Sequence, residues 1–184
     1  MYIDRYILIT VDNDIDIYES EEKVMSDNYS NVCCFTGHRP ERLEMPQKKV
    51  IRWINEQVEQ AISDGYTEFI SGMQRGVDIW AAEAVLRCKK EKPELKLIAA
   101  CAFEGMENRW DKCWQDRYNS ILKESEEVHY IGAYPSRASF FKRDEWMVDH
   151  SNRVIGVYTG APGGTLKTIN YAKKKGLEVV LIDR

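Results

Sequence analysis

From Asn31 to Arg184, short apolar runs alternate with apolar stripes repeating every 3.6 residues. Val32–Thr36 (VCCFT) predicts a buried strand. After it, Pro46 opens a helix in which Val50, Ile51, Ile54, Val58, Ala61 and Ile62 share one face, closed by Gly65. Glu68–Ser71 predicts a second strand. Val77, Trp80, Ala81, Ala84, Val85 and Cys88 form the next helical stripe. Leu95–Phe103 predicts a third strand, followed by a helical face of Trp110, Trp114, Tyr118, Ile121 and Leu122. Glu127–Ile131 is the fourth expected strand. Phe140, Phe141, Asp144, Met147 and Val148 predict a helix before a fifth strand, Val154–Tyr158 (VIGVY). A helix over Gly164–Lys175, ended by Gly176, leads into the last strand, Leu177–Ile182.

Six strands thus alternate with five helical segments. Their apolar residues run continuously, so both sheet faces are expected to be covered. The pattern predicts an α/β fold: a Rossmann-like, doubly wound, mainly parallel sheet with helices on both faces. In such sheets ligands bind beyond the carboxyl ends of the strands.

Three predicted strands end in glycine-rich loops. The first gives Gly37-His38-Arg39-Pro40, where Arg39 is suited to fork onto a phosphate and His38 to hydrogen-bond near neutral pH. The second gives Ser71-Gly72-Met73-Gln74-Arg75-Gly76-Val77-Asp78, running into a helix N-terminus whose free N–H groups attract an anion. The fifth gives Gly160-Ala161-Pro162-Gly163-Gly164-Thr165, again entering a helix. Together they describe a cleft of backbone donors for a phosphate-bearing ligand. Neither a P-loop nor a G-x-G-x-x-G dinucleotide motif is present.

Thr36-Gly37-His38-Arg39-Pro40, Ser71-Gly72-Met73 with Gly76-Val77-Asp78, and Gly163-Gly164-Thr165 together resemble the SLOG superfamily, more narrowly its YpsA-like branch of bacterial proteins. The resemblance covers about Asn31 to Arg184. It implies a Rossmann-like fold and a nucleotide or nucleotide-derived ligand, such as ADP-ribose. The superfamily also holds phosphoribohydrolases, DprA-type single-stranded DNA binders and nucleotide sensors. The hydrolase branch uses an arginine, which Arg143 resembles, and a glutamate three positions after its Gly-Thr. Here Thr168 stands at that position. Asp78 and Glu104 are the substitute carboxylates, with plainer readings as a helix cap and a solvated loop acid. Asp144 and Glu145 read as surface charge balance.

The functions expected, in order, are therefore binding of a small phosphorylated ligand as a sensor or regulator, hydrolysis of an N-glycosidic or phosphate bond, and single-stranded DNA binding. For the last, Lys173-Lys174-Lys175 is the local basic run. The ligand-contacting residues expected are Gly37, His38, Arg39, Ser71, Gly72, Gly76, Asp78, Arg143, Gly160, Gly163, Gly164 and Thr165. Trp80 and the Trp110–Tyr118 stripe are expected to pack in the core.

Composition sharpens this picture only at the N-terminus. The 184 residues have a net charge of −4, which argues against a nucleic-acid or anionic-membrane binder. Residues 1–31, however, hold two basic and eight acidic side chains, so the remaining 153 residues are net basic. The segment reads as an acidic extension preceding a domain over 32–184, and its β-prone run Tyr2–Val11 as an extra strand or hairpin arm. Cys33, Cys34, Cys88, Cys101 and Cys113 show no C-x-x-C spacing, so neither a disulfide framework nor a metal site is expected. No membrane segment or secretory signal is expected, and a cytoplasmic homo-oligomer without an intrinsic cofactor is the expectation.

Overall fold

In the computed structural model, which describes residues 31–183, strands and helices alternate throughout those residues. The strands are β1 (Val32–Gly37), β2 (Glu68–Ser71), β3 (Lys96–Cys101), β4 (Glu127–Tyr130), β5 (Arg153–Val157) and β6 (Glu178–Leu181). The helices are α1 (Gln47–Ser63), α2 (Val77–Lys89), α3 (Lys112–Glu124), α4 (Arg137–Asp149) and α5 (Gly164–Lys174). The expected N-terminal arm, including Tyr2–Val11, lies outside the described residues. Among the described residues, no helix is long and apolar enough to cross a membrane.

The sheet order is β4-β3-β2-β1-β5-β6, and every pairing is parallel. This is the Rossmann-like α/β fold that the alternation predicts. The chain steps outward from β1 to β4, then returns to β5 on the other side of β1. Direction reverses between β1 and β5, where Thr36 lies beside Gly156 and Gly37 beside Val157. At such a reversal the two flanking loops diverge and leave a crevice.

Side-chain alternation along β1 divides two cores. Cys33 and Phe35 face one, with α1, α2 and α3; Val32 and Cys34 face the other, with α4 and α5. In the first core, Phe35 and Phe69 stack with centroids 6.1 Å apart. Helix α2 buries nine of its thirteen residues, and Trp80 packs against Trp114 at 6.1 Å. A helix apolar on nearly every side belongs inside a fold, and α2 lies between its neighbours and the sheet.

Strand β4 departs from the expectation that both faces of each strand are covered. As an edge strand it leaves Val128 38% and Tyr130 48% exposed. Trp110 also differs slightly: it precedes α3 and packs edge-on against Tyr118 at 5.6 Å. A run of apolar residues cannot reveal whether its strand is central or terminal, because edge position depends on pairing.

Candidate functional site

The crevice beside β1 is a cavity of about 420 Å³. Its near wall is the loop after β1. Gly37 is required there by close approach: a Cβ on it would stand 2.5 Å from Val77, so a side chain would push the start of α2 away. His38 and Arg39 follow, and Pro40–Arg42 forms a 3-10 turn that brings Arg42 to the same cavity. His38 is 4% exposed, and its Nε2 has no hydrogen-bond partner in the described structure. Burial, then the nearby Arg42 charge, lowers its pKa, which favours the neutral ring.

The floor is built from the loop after β2 and from α4. Ser71 Oγ donates to the Asp78 carbonyl at 2.9 Å and accepts the Met73 N–H at 3.2 Å, which ties the loop into a tight arch. Met73 holds a left-handed φ of 58° inside that arch, a conformation a non-glycine residue keeps only when its surroundings impose it. Asp78 is buried in the first turn of α2, and its Oδ2 accepts the Gln74 N–H at 3.2 Å. Arg143 reaches in from α4 and is also buried. Its Nη1 donates to the Gly72 carbonyl and lies 3.5 Å from Asp78 Oδ2. Its Nε stands 2.8 Å from Asp144 Oδ1, with the N–H not aimed at the oxygen. A Cβ on Gly72 would collide with the Arg143 guanidinium, so the glycine admits the arginine.

Burial pushes the Asp78 carboxyl up to about 6; Arg143 pulls it back, and Asp144 adds to the rise. Asp78 is therefore not an N-cap. Gly76 precedes the helix without a capping side chain, and the carboxylate instead joins the buried charge cluster.

The far wall is the start of α5, where Gly163, Gly164 and Thr165 line the cavity. No side chain caps this helix, so its first N–H groups remain available to an anion. Arg42 Nη1 lies over Gly163, 3.7 Å from where a Cβ would stand. Arg137, at the start of α4, enters the cavity with its guanidinium 5.6 Å from the Phe141 ring centroid. Among the described residues, Arg39, Arg42 and Arg137 make no ion pair.

Eight of the expected contact residues line this one cavity: Gly37, His38, Arg39, Asp78, Arg143, Gly163, Gly164 and Thr165. Ser71, Gly72 and Gly76 stand behind its wall as supports, and Gly160 lies in the loop before Gly163 without lining it. Glu104 is exposed after β3, away from the lining. Thr168, at the position of the hydrolase glutamate, donates its hydroxyl to the Gly164 carbonyl at 3.1 Å.

Sequence reasoning did not select Arg42, Arg137, Gln74, Phe140 or Phe141, and it read Asp144 as surface charge. Only Arg42 left a signal, three residues beyond Arg39 in a proline-initiated turn. Lys173 and Lys174 sit at the C-terminal end of α5, whose N-terminal end forms the cavity wall.

A family model described as YspA SLOG family (YpsA) matches residues 33–182. The SPbeta prophage-derived protein YoqJ of Bacillus subtilis (strain 168) is 34% identical over 118 residues, covering 58% of this chain and 69% of YoqJ. A UPF0398 protein of Brevibacillus brevis is 28% identical over 126 residues, covering 67% of this chain and 63% of that protein. The X-ray structure of DNA processing protein A (DprA) from Streptococcus pneumoniae superposes with a TM-score of 0.58 at 18% identity, over 83% of this chain and 51% of DprA. DprA from Helicobacter pylori, solved for its single-stranded DNA binding mode, gives 0.55 at 16%, over 86% of this chain and 69% of that one. At these identities the two structures speak to the fold. Model and relatives together place the chain: it belongs to the YspA SLOG family.

Proposed function

We propose that this chain binds a nucleotide or nucleotide-derived phosphate ligand in the cleft at the β1–β5 reversal, as a sensor or regulatory protein. One observation carries the reading: Arg39, Arg42 and Arg137 share a cavity with the uncapped start of α5, and none makes an ion pair with a described carboxylate. Guanidinium forks and helix N–H groups are the common means of holding phosphate oxygens. The volume, about 420 Å³, suits a nucleotide-sized molecule. Support for cleavage of an N-glycosidic bond is weaker, since Thr168 offers no carboxylate where the related hydrolases place one.

Calorimetry with AMP, ADP-ribose and NAD tests the proposal. At least one is expected to bind, and Arg42→Ala is expected to weaken it about tenfold, near the worth of one charge-assisted contact. No binding at millimolar concentration overturns the reading. The DprA likeness motivates one further arm, a gel shift with single-stranded DNA at low salt, where electrostatic binding is strongest. DNA retardation alongside silent nucleotides would transfer the cleft to nucleic acid.

A further inference from the structure

The cleft has two chemically opposed zones. Its rim carries Arg39, Arg42 and Arg137, and its floor carries Asp78 and Asp144 around Arg143. A phosphate placed on the floor would meet two carboxylates, so it belongs at the rim.

The floor leaves both a buried donor, Arg143 Nε, and several acceptor atoms without hydrogen bonds among the described residues. Asp78 gives Oδ2 to the Gln74 N–H and faces Arg143, but Oδ1 has no hydrogen bond among the described residues. Asp144 turns Oδ1 to Arg143, while Oδ2 lies over Gly164, 3.6 Å from where a Cβ would stand. Buried His38, lining the same cavity, keeps its Nε2 unpartnered. Buried polar atoms nearly always have partners, so His38 Nε2 calls for one from the ligand, while the two carboxylate oxygens stand open to ligand donors. An ammonium group would supply donors, but three arginines at the rim oppose its entry. Neutral hydroxyls supply them without charge, and two carboxylate oxygens accept from adjacent hydroxyls.

We infer that the floor is a subsite reading the vicinal hydroxyls of a sugar, so that the cleft selects a ribo-configured sugar phosphate over its deoxy counterpart. The diol rests on Asp78 and Asp144, His38 Nε2 meets a further ring or hydroxyl oxygen or hydrogen, and the phosphate points out to Arg42 and the start of α5. This selection rests on the phosphate-binding reading above. It also predicts that a deoxyribose strand is a poor occupant of the cleft.

The test compares AMP with 2′-deoxy-AMP, and ribose 5-phosphate with 2-deoxyribose 5-phosphate, by calorimetry on the full chain. Sites built around a ligand hydroxyl reject the analogue lacking it strongly, so the ribo member of each pair that binds is expected to bind at least about tenfold tighter. Asp78→Asn is expected to narrow that ratio to under about threefold, since the amide swaps acceptors for donors. Asp144→Asn provides the same readout if Asp78→Asn does not fold, and the wild-type ratio stands independently of both. Equal affinity for ribo and deoxy probes overturns the sugar subsite while leaving phosphate binding intact. A preserved ratio in Asp78→Asn and Asp144→Asn overturns the assignment of these residues. Silence of all four probes overturns the sugar subsite as drawn, and only the added silence of ADP-ribose and NAD defeats the underlying phosphate reading.

Discussion

On the α1–α3 side of the sheet, Phe35, Phe69, Leu97 and the buried length of α2 form a large core made almost wholly of apolar side chains. On the α4–α5 side the apolar cluster is much smaller, and it shares its helices with buried Arg143, Ser139, Thr165 and Thr168. The contrast separates two tasks. Apolar burial is non-directional and additive, so a broad face of it stabilises the sheet whatever lies opposite. Buried charge contributes little net stability, because desolvation offsets the Coulombic gain. A fold that lets Arg143 of the thinner side reach across to Asp78 at the start of α2 is spending stability on the cleft.

Removing Arg143 should strike both tasks at once. Arg143→Ala leaves Asp78 and Asp144 without their cation and the Gly72 carbonyl without its donor, a loss of about 3–5 kcal/mol by urea unfolding. A cost below about 1 kcal/mol would break the contrast, since the cluster would then be dispensable. Leu97→Ala, fully buried on the thick face, should cost about 2–5 kcal/mol and leave the affinity of the folded fraction for any cleft ligand unchanged. Altered affinity would show that the two faces are not separable.

Acidity sharpens the contrast between apolar core and charged cluster further. Asp78 titrates at about 6 in the fold and near 3.9 unfolded, so between those values the folded chain binds more protons. Its contribution to stability is therefore greatest below pH 4 and falls as the pH rises through 6. Relative to Asp78→Asn, wild type should lose roughly 2–3 kcal/mol of unfolding free energy between pH 4 and pH 7. A constant difference across that window contradicts a buried, destabilised carboxylate. The smallest effect belongs to the double change Lys173→Ala with Lys174→Ala, at the opposite end of α5 from the cleft. Stability should stay within about 0.5 kcal/mol and ligand affinity should not move; a large loss in calorimetry would relocate the binding surface.

The sheet and the three loops were legible because their signals are local: β-prone runs, helical stripes and glycines at strand ends. Trp80 likewise read correctly as a core residue. Helix α4 was legible as a helix, and Arg143 as a contact through the family resemblance, but Arg137, Phe140, Phe141 and Asp144 were not read as lining the site, since the charges of α4 resemble a solvated surface. Asp144 is the clearest case. Its neighbour Arg143 enters the floor only because Gly72, 71 residues earlier, leaves room for the guanidinium. No spacing rule within α4 records that vacancy. The openness of β4 was hidden for a similar reason, as strand order is decided by pairings remote in sequence.

The cysteines of the central strand have one further consequence. Cys33 and Cys34 are wholly buried, and burial pushes both thiols up, Cys34 to about 12; Cys101 on β3 is pushed to about 11, while Cys113 lies exposed on α3. Alkylation requires thiolate and access. In the folded chain Cys113 should therefore react promptly, and the pair on β1 only when the sheet opens. The two adjacent sulfurs at the middle of the fold act as a built-in clock: their slow labelling rate reports how often the whole domain comes apart, molecule by molecule, under native conditions.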